Sequence, residues 1–362
     1  MKKFFFAIAL ILVTTFSFCR CNNIEKKGDT HLISLDLNKC SVIELDKNNL
    51  IRLETTDSSL IYDICALEYH DGALIINSRD FLRKFDGTSG KYLGDIAKRG
   101  EGPGEYSFVT RFWERNDTFN VWDNNERLLF HYLPTGEFIG TESPFHNGDS
   151  VKSVPQFFIE YPGKGFFTIN TFTDGTTAKN PRYSYYDENM CFVRDLPGRE
   201  MTDGSFMADR AYYDCEGDRI LTWEALKDTL FVLTPEQIIP VYAFEFGKYS
   251  IPDEIQSKAD FYDRIEMFTD KNADEWASFM RCFQVKDNHL YFSFVTNRFE
   301  NYLGVMDMKT EKARVVKLED PEKRWAQQTF FKVMDDESIL IACNDTTDIE
   351  KNPALYKIKL PL

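Results

Sequence analysis

An internal repeat, six strand-rich units and a surplus of aromatic residues predict an all-β chain, a single six-bladed β-propeller with a short helical insertion. The repeat is the sharpest of the three. Ala73-Leu-Ile-Ile-Asn-Ser-Arg-Asp-Phe-Leu82 and Phe119-Asn-Val-Trp-Asp-Asn-Asn-Glu-Arg-Leu128 each read as a short apolar strand, a polar turn and the start of a second strand. They lie 46 residues apart, and the same offset carries Gly90-Lys-Tyr-Leu-Gly94 onto Gly136-Glu-Phe-Ile-Gly140 without a gap. Thr-Ser-Gly and Pro-Thr-Gly before these strands are hairpin turns, where glycine takes a positive φ at no steric cost.

Four looser copies follow. Gly165–Asn170 leads to Tyr183–Tyr186 and Cys191–Val193; Arg219–Trp223 leads to Thr229–Leu233 and Val241–Phe246. His289–Val295 leads to Tyr302–Met306 and Ala313–Val316, and Ser338–Ala342 leads to Ala354–Ile358. Units of roughly 45 to 70 residues with three or four strands match propeller blades. A sandwich also has many short strands, but its strands do not recur as four-stranded units. The early strand Leu50–Leu53 is expected to pair with the last blade and close the ring. Phe alone numbers 32 and aromatics make up 15% of the chain, a composition suited to half-buried pleated surfaces.

One stretch breaks the strand pattern. Pro252 to Arg281 is charged, lacks glycine, and spaces Ile255, Ala259, Tyr262, Ile265 and Met267 or Phe268 as a helix would. Ala273 to Met280 is expected to add a second short helix. The chain then divides into a signal segment over 1–21, a tether and lead-in over 22–41, and the propeller over 42–362 with its helical insertion at 252–281.

Met-Lys-Lys followed by an apolar run from Phe4 to Val13 reads as an export signal. The run is shorter than the roughly 20 residues a membrane span needs. Cys19 and Cys21 stand where a lipoprotein signal places its acylated cysteine, although Phe18 and Arg20 before them are larger than that chemistry prefers. Cleavage after Cys19 is the rival. The expected location is the periplasm or the outer-membrane surface. Cys40, Cys65, Cys191, Cys215, Cys282 and Cys343 fall in or beside apolar strands and contain no Cys-x-x-Cys pair, so buried free thiols are expected rather than a zinc site.

Three runs carry a family resemblance. Ile51-Arg-Leu-Glu-Thr-Thr-Asp-Ser-Ser-Leu-Ile61, then Phe85-Asp86, then Gly94-Asp-Ile-Ala-Lys-Arg-Gly-Glu-Gly-Pro-Gly-Glu-Tyr106 resemble the six-bladed propeller lipoproteins of Bacteroidetes, relatives of NHL-repeat and TolB-like propellers. Asp228–Phe231 through Pro240–Tyr242 and Phe246–Lys248 resemble that family's fourth blade. The resemblance implies export to the cell envelope and brings no catalytic motif with it.

The loop Arg99 to Tyr106 is the candidate ligand site. Gly100, Gly102 and Gly104 are placed to offer successive amides to an anion, with Arg99 adding charge and Glu105 and Tyr106 completing the loop. The competing reading is a tight inter-blade connection in which Tyr106 packs and Glu105 bonds locally. No Gly-Lys-Ser/Thr follows, so it is not a Walker loop. No metal-binding motif stands out. His31, His70, His131, His146 and His289 are scattered, and Asp123-Asn-Asn-Glu126 and Asp345-Thr-Thr-Asp348 read as solvated turns without calcium-loop spacing. No Gly-x-Ser-x-Gly elbow appears. A net charge of −15 without a basic stripe excludes nucleic acid.

The expected function is therefore a non-catalytic envelope module that binds or scaffolds a protein or glycan, with no cofactor. Trp113, Trp122, Trp223, Trp276 and Trp325 are candidates to stack on sugars or to pack between blades. Membrane contact is expected only through an N-terminal lipid anchor. The alternative is a metal-dependent lactonase- or lyase-like enzyme working in the central channel.

Overall fold

The computed structural model describes residues 30–61, 64–78, 80–143, 154–171, 180–197, 200–201, 211–216, 219–224, 228–256, 276–296, 300–320, 325–345 and 351–360. Six antiparallel blades account for nearly all of them. Blade 1 runs through Ala66–His70, Ala73–Asn77, Phe81–Asp86 and Tyr92–Lys98. Blade 2 runs through Val109–Arg115, Thr118–Asp123, Leu128–Tyr132 and Phe138–Glu142, and blade 3 through Val154–Tyr161, Gly165–Thr171, Tyr183–Tyr186 and Phe192–Asp195. Blade 4 comprises Ala211–Glu216, Arg219–Glu224, Thr229–Leu233 and Ile238–Glu245. Blade 5 comprises Ala277–Lys286, His289–Thr296, Asn301–Asp307 and Lys312–Glu319, and blade 6 Trp325–Val333, Ser338–Asp345 and Ala354–Lys359. The first strand of each blade is the innermost. These inner strands adjoin around a common centre, blade 6 touching blade 1, and blades 3 and 4 meet through their apolar cluster.

Ring closure comes from the N-terminus, as expected. Leu50–Arg52 is the outer strand of blade 6, pairing Arg52 with Ala354 and Leu50 with Tyr356. The preceding residues add a feature, the first strand of which the sequence reading assigned to the lead-in. His31–Ser34 pairs in parallel with the outer strand of blade 4, and Ser41–Glu44 does the same on blade 5. The two segments are copies ten residues apart, with Ile33, Leu35, Asp36 and Asn38 repeated as Ile43, Leu45, Asp46 and Asn48. The Leu35 amide donates to the Glu245 carbonyl at 2.7 Å and the Leu45 amide to the Glu319 carbonyl at 2.9 Å. Asp36 and Asp46 each accept the amide two residues on, turning the chain through one short 3₁₀ segment. One belt thus laces the rims of blades 4, 5 and 6 in order.

The core lies between blades, not within them. Each of the six junctions has its own apolar cluster. Ile75, Phe112 and Val121 fill blades 1–2, and Trp122, Leu129 and Phe158 fill blades 2–3. Ile169 and Ile220 fill blades 3–4, and Trp223, Phe244 and Phe292 fill blades 4–5. Leu303 and Ile341 fill blades 5–6, while Leu53, Leu74 and Leu355 fill blades 6–1. A lone four-stranded sheet has two apolar faces, and stacking in a ring buries both. Each fully buried side chain of this size contributes about 1.5–3 kcal/mol. Trp122 and Trp223 are fully buried in these seams, Trp122 tilted against Phe158 and Trp223 stacked on Phe244, so neither presents a face to a sugar.

The helical insertion is minor. Among the described residues it is the single turn Asp253–Gln256. Residues 257–275, with most of the expected apolar stripe, lie outside the described residues. The second helix expected over Ala273 to Met280 is corrected, because Ala277–Lys286 is the inner strand of blade 5. Its ladder to His289–Thr296 outweighs the local helical spacing. The expectation of buried thiols is also corrected in part: Cys191 is an exposed free thiol, Cys40 is a half-buried one, and Cys65 and Cys282 are half-buried.

Candidate functional site

The two faces of the ring differ in how the chain turns on them. On one face the inner strand turns into the second strand through short hairpins. Asp71-Gly72, Asn116-Asp117 and Asp287-Asn288 all hold positive φ at both central residues, the geometry that matches strand twist. On the opposite face the chain leaves each outer strand and returns to the next blade's inner strand. These connections are long, as from Lys98 to Val109 and from Glu245 to Ala277. Long connections on a rigid frame are where propellers and barrels place binding residues.

The candidate loop crosses this second face over the blade 1–2 junction. Arg99 and Tyr106 form a bridge, and the Gly100 amide donates to the Tyr106 carbonyl at 3.0 Å. The Gly102 amide donates to Glu105 Oε2 at 2.9 Å, and Lys98 Nζ lies 3.0 Å from the other carboxylate oxygen. The Gly102 amide, reinforced by Lys98, holds the Glu105 carboxyl below its usual range. The loop thus supplies its own anion. Gly104, at φ +72°, presses on the Phe138 ring, and the Tyr132 hydroxyl donates to the Gly104 carbonyl at 3.0 Å. Tyr106 is wholly buried among Ile75, Ile96 and Phe112, and that burial pushes its phenol far up. Arg99 points outward to Asp80 at 3.3 Å. The six predicted residues are therefore together, in a tie between two blades.

A second tie lies beside it, and the sequence reading misjudged it. Asp123 is not part of a solvated turn but is fully buried. Its carboxylate accepts the amides of Ser107 at 2.6 Å, Phe108 at 3.0 Å, Asn125 at 2.9 Å and Glu126 at 3.1 Å. The end of the long connection is what buries it, a contact the local Asp-Asn-Asn pattern does not reveal. Asn352 plays the same part between blades 6 and 1, accepting from the Ile61 amide and donating to the Glu54 and Ser59 carbonyls. Asp348 and Cys19 and Cys21 lie outside the described residues.

The inner strands also join blades through polar side chains. Lys332 of blade 6 pairs with Glu68 of blade 1, and Arg115 of blade 2 with Glu160 of blade 3. Lys286 of blade 5 reaches Asp335 of blade 6 at 2.7 Å. At the hairpin face, His70 of blade 1 comes together with Glu114 and Asp117 of blade 2. Sequence reasoning left His70 among the scattered histidines, because its partners belong to another blade.

Over residues 35–355 the sequence matches the model of a family described as a domain of unknown function, DUF4934. The chain belongs to the DUF4934 family. Two solved structures share the fold of this DUF4934 chain. A protein of Bacteroides fragilis NCTC 9343 described as exported is 15% identical, covering 91% of this chain and 100% of its own, at a TM-score of 0.64. A DUF4221-family protein of Bacteroides vulgatus ATCC 8482 is 13% identical, covering 87% and 97%, at a TM-score of 0.58. No curated protein matches the sequence. Among the described residues no helix is long and apolar enough to cross a membrane.

Proposed function

We propose that this DUF4934 propeller is an exported, non-catalytic cell-envelope module that docks a protein partner on its rim. The observation that carries the reading is where its exposed apolar side chains lie. Every large one among the described residues except Phe108 sits on an outermost strand. Leu93, Ile139 and Val193 hold the same place on blades 1, 2 and 3, two to three residues past the turn, and are 50%, 55% and 42% exposed. Phe138 and Phe192 stand beside the last two. These three outer strands end their sheets, and so do the belt strands on blades 4 and 5, which expose Leu32 and Val42. Repeated apolar positions on unpaired edges are what a protein partner covers, and soluble proteins otherwise avoid them.

Two further points support the reading. Several described inner-strand charges join blades, as Lys332 with Glu68, Arg115 with Glu160 and Lys286 with Asp335. This weighs against the channel enzyme. The basic, apolar N-terminus and a fold neighbour described as exported support the envelope location. Lipidation at Cys19 or Cys21, and kinship with NHL and TolB-like propellers, are parts of the same proposal.

The test places a photo-crosslinking residue at Ile139 and captures partners from envelope extracts of the native host. The captured protein is then purified and rebound. Capture and rebinding should be lost in Leu93→Lys/Ile139→Lys/Val193→Lys and kept in Arg99→Ala on the loop face. Equal binding by the rim variant, or a glycan array that scores while protein capture fails, would overturn the rim reading.

A further inference from the structure

We propose that His70, Glu114 and Asp117 form a divalent-metal site that clasps blade 1 to blade 2 on the hairpin face. Each residue brings one donor atom, and the three atoms lie within 4.8 Å of one another. Donors about 2.0–2.2 Å from one ion lie at most about 4.4 Å apart, so the set closes on an ion once the side chains shift by a few tenths of an ångström. His70 Nδ1 is 3.8 Å from a Glu114 oxygen, and His70 Nε2 is 3.9 Å from an Asp117 oxygen. A fourth group, Asp71, puts an oxygen 3.5 Å from the same Nε2.

The charges carry the argument further than the distances. Three carboxylates crowd one imidazole, which can supply at most a single positive charge. Among the described residues no lysine or arginine pairs with Asp71, Glu114 or Asp117. Elsewhere on the inner strands, every inter-blade carboxylate named above has a lysine or arginine partner: Glu68 has Lys332, Glu160 has Arg115, and Asp335 has Lys286. Like charges held this close repel one another, and a cation between them offsets the repulsion. A divalent ion supplies the missing charge and makes the blade 1–2 link the metal counterpart of the ion pairs at the other junctions.

The scaffold suits an ion as well. His70 closes the inner strand of blade 1, and Glu114 lies next to the end of the inner strand of blade 2. Asp71 and Asp117 occupy turn positions at φ 47° and 56°, so tight hairpins hold their backbones. The Asp117 amide donates to Glu114 Oε1 at 3.0 Å, which orients the carboxylate. The His70 ring meets the fully buried Phe119 edge-on, centroids 5.7 Å apart, so one side of the site is apolar. One imidazole with two or three carboxylates favours zinc or manganese over calcium or magnesium, which prefer all-oxygen sets.

Titration calorimetry of the mature chain with Zn²⁺, and separately with Mn²⁺ followed by electron paramagnetic resonance, tests the site. One ion per chain is expected. Affinity should fall about tenfold or more in His70→Gln and in Asp117→Asn. Glu137→Gln, an exposed acid on the same face, should bind as wild type. Asp117 is a mostly exposed turn residue, so Asp117→Asn stays folded even if His70→Gln does not. The imidazole resonances of His70 should shift on adding Zn²⁺. No binding at millimolar ion overturns the proposal, as does binding that both site variants leave unchanged, which would place the ions elsewhere on an acidic surface.

Discussion

Gly90 in the outer turn of blade 1 rests directly on the backbone of Arg52, with the Glu54 amide donating to the Gly90 carbonyl at 2.8 Å. The strand of Arg52 is the one that closes the ring. Gly136 repeats the arrangement one blade on, where an added Cβ would come within 2.9 Å of the Asp95 carbonyl on the outer strand of blade 1. Each turn glycine therefore seats its blade on the preceding one. This contact, and not the hairpin alone, explains why the 46-residue repeat keeps both glycines in register.

Gly90→Ala should be costly. The residue holds φ +73°, and the obstructing atoms are backbone, which cannot swing aside. The left-handed conformation alone costs about 1–2 kcal/mol for a residue with a Cβ, and the clash adds to it. A loss of about 3 kcal/mol or more in urea unfolding is expected. Gly140→Ala is the control: nothing lies within 4 Å of its Cβ position, and a change within about 0.5 kcal/mol is expected. Equal effects would mean that the turn does not bear on ring closure.

The belt makes a second prediction. Leu35 and Leu45 are buried at matching positions, the first in the blade 4–5 seam and the second in the blade 5–6 seam. Leu35→Ala and Leu45→Ala should each destabilise the chain by about 2–4 kcal/mol. Their effects should nearly add, since they occupy different seams. Asp46→Ala, which removes a local turn bond, and Asp36→Ala, which removes a turn bond and the exposed pair with Lys39, should each cost far less than either leucine. Hydrogen exchange should show protected amides at Leu35 and Leu45 that a disordered tether would not have.

The contrast between blades and belt shows what the sequence makes legible. Blades 1 and 2 could be read directly because hairpins are local and the two copies align without gaps. The belt repeat is equally regular, Ile33 to Asn38 against Ile43 to Asn48, yet each strand is four residues long and pairs with a partner across the chain. Short strands without a neighbouring hairpin read as linker. The candidate loop was legible as a glycine-rich turn, but that Glu105 fills it depends on the turn's exact closure. His70, Glu114 and Asp117 were not legible as a group, because blade packing brings them together, not spacing.

The loop itself can be tested as a tie. Glu105→Ala leaves the Gly102 amide without its acceptor and Lys98 without its partner. Loss of that charge-assisted bond should lower the urea midpoint. Arg99→Ala removes only an exposed pair with Asp80 and should cost under about 0.5 kcal/mol. Tyr106→Phe removes a buried hydroxyl that has no hydrogen-bond partner among the described residues, so it should be neutral or slightly stabilising. A Glu105→Ala protein as stable as wild type would put the loop's carboxylate out of the structural role.

Acid should loosen the propeller through its turns. Asp86 is held below its usual range by the Ser89 amide, Asp307 by the Lys309 amide, Asp46 by the Asn48 amide and Glu105 by the Gly102 amide. Asp36 is lowered chiefly by the Lys39 side chain and Asp335 by that of Lys286. Each carboxyl thus has a folded pKa beneath its unfolded one, about 3.9 for Asp and 4.3 for Glu. The stability they lend is complete above the unfolded values and drains away as pH falls through the folded ones. The urea midpoint should be flat from pH 7 to about 5 and drop steadily between about pH 4.5 and 2. Asp86→Asn/Asp307→Asn should shallow that drop, because an amide side chain still accepts the turn bonds and no longer titrates. A midpoint indifferent to pH over that range, or a double variant with the wild-type slope, would show that these turn carboxylates do not govern acid stability.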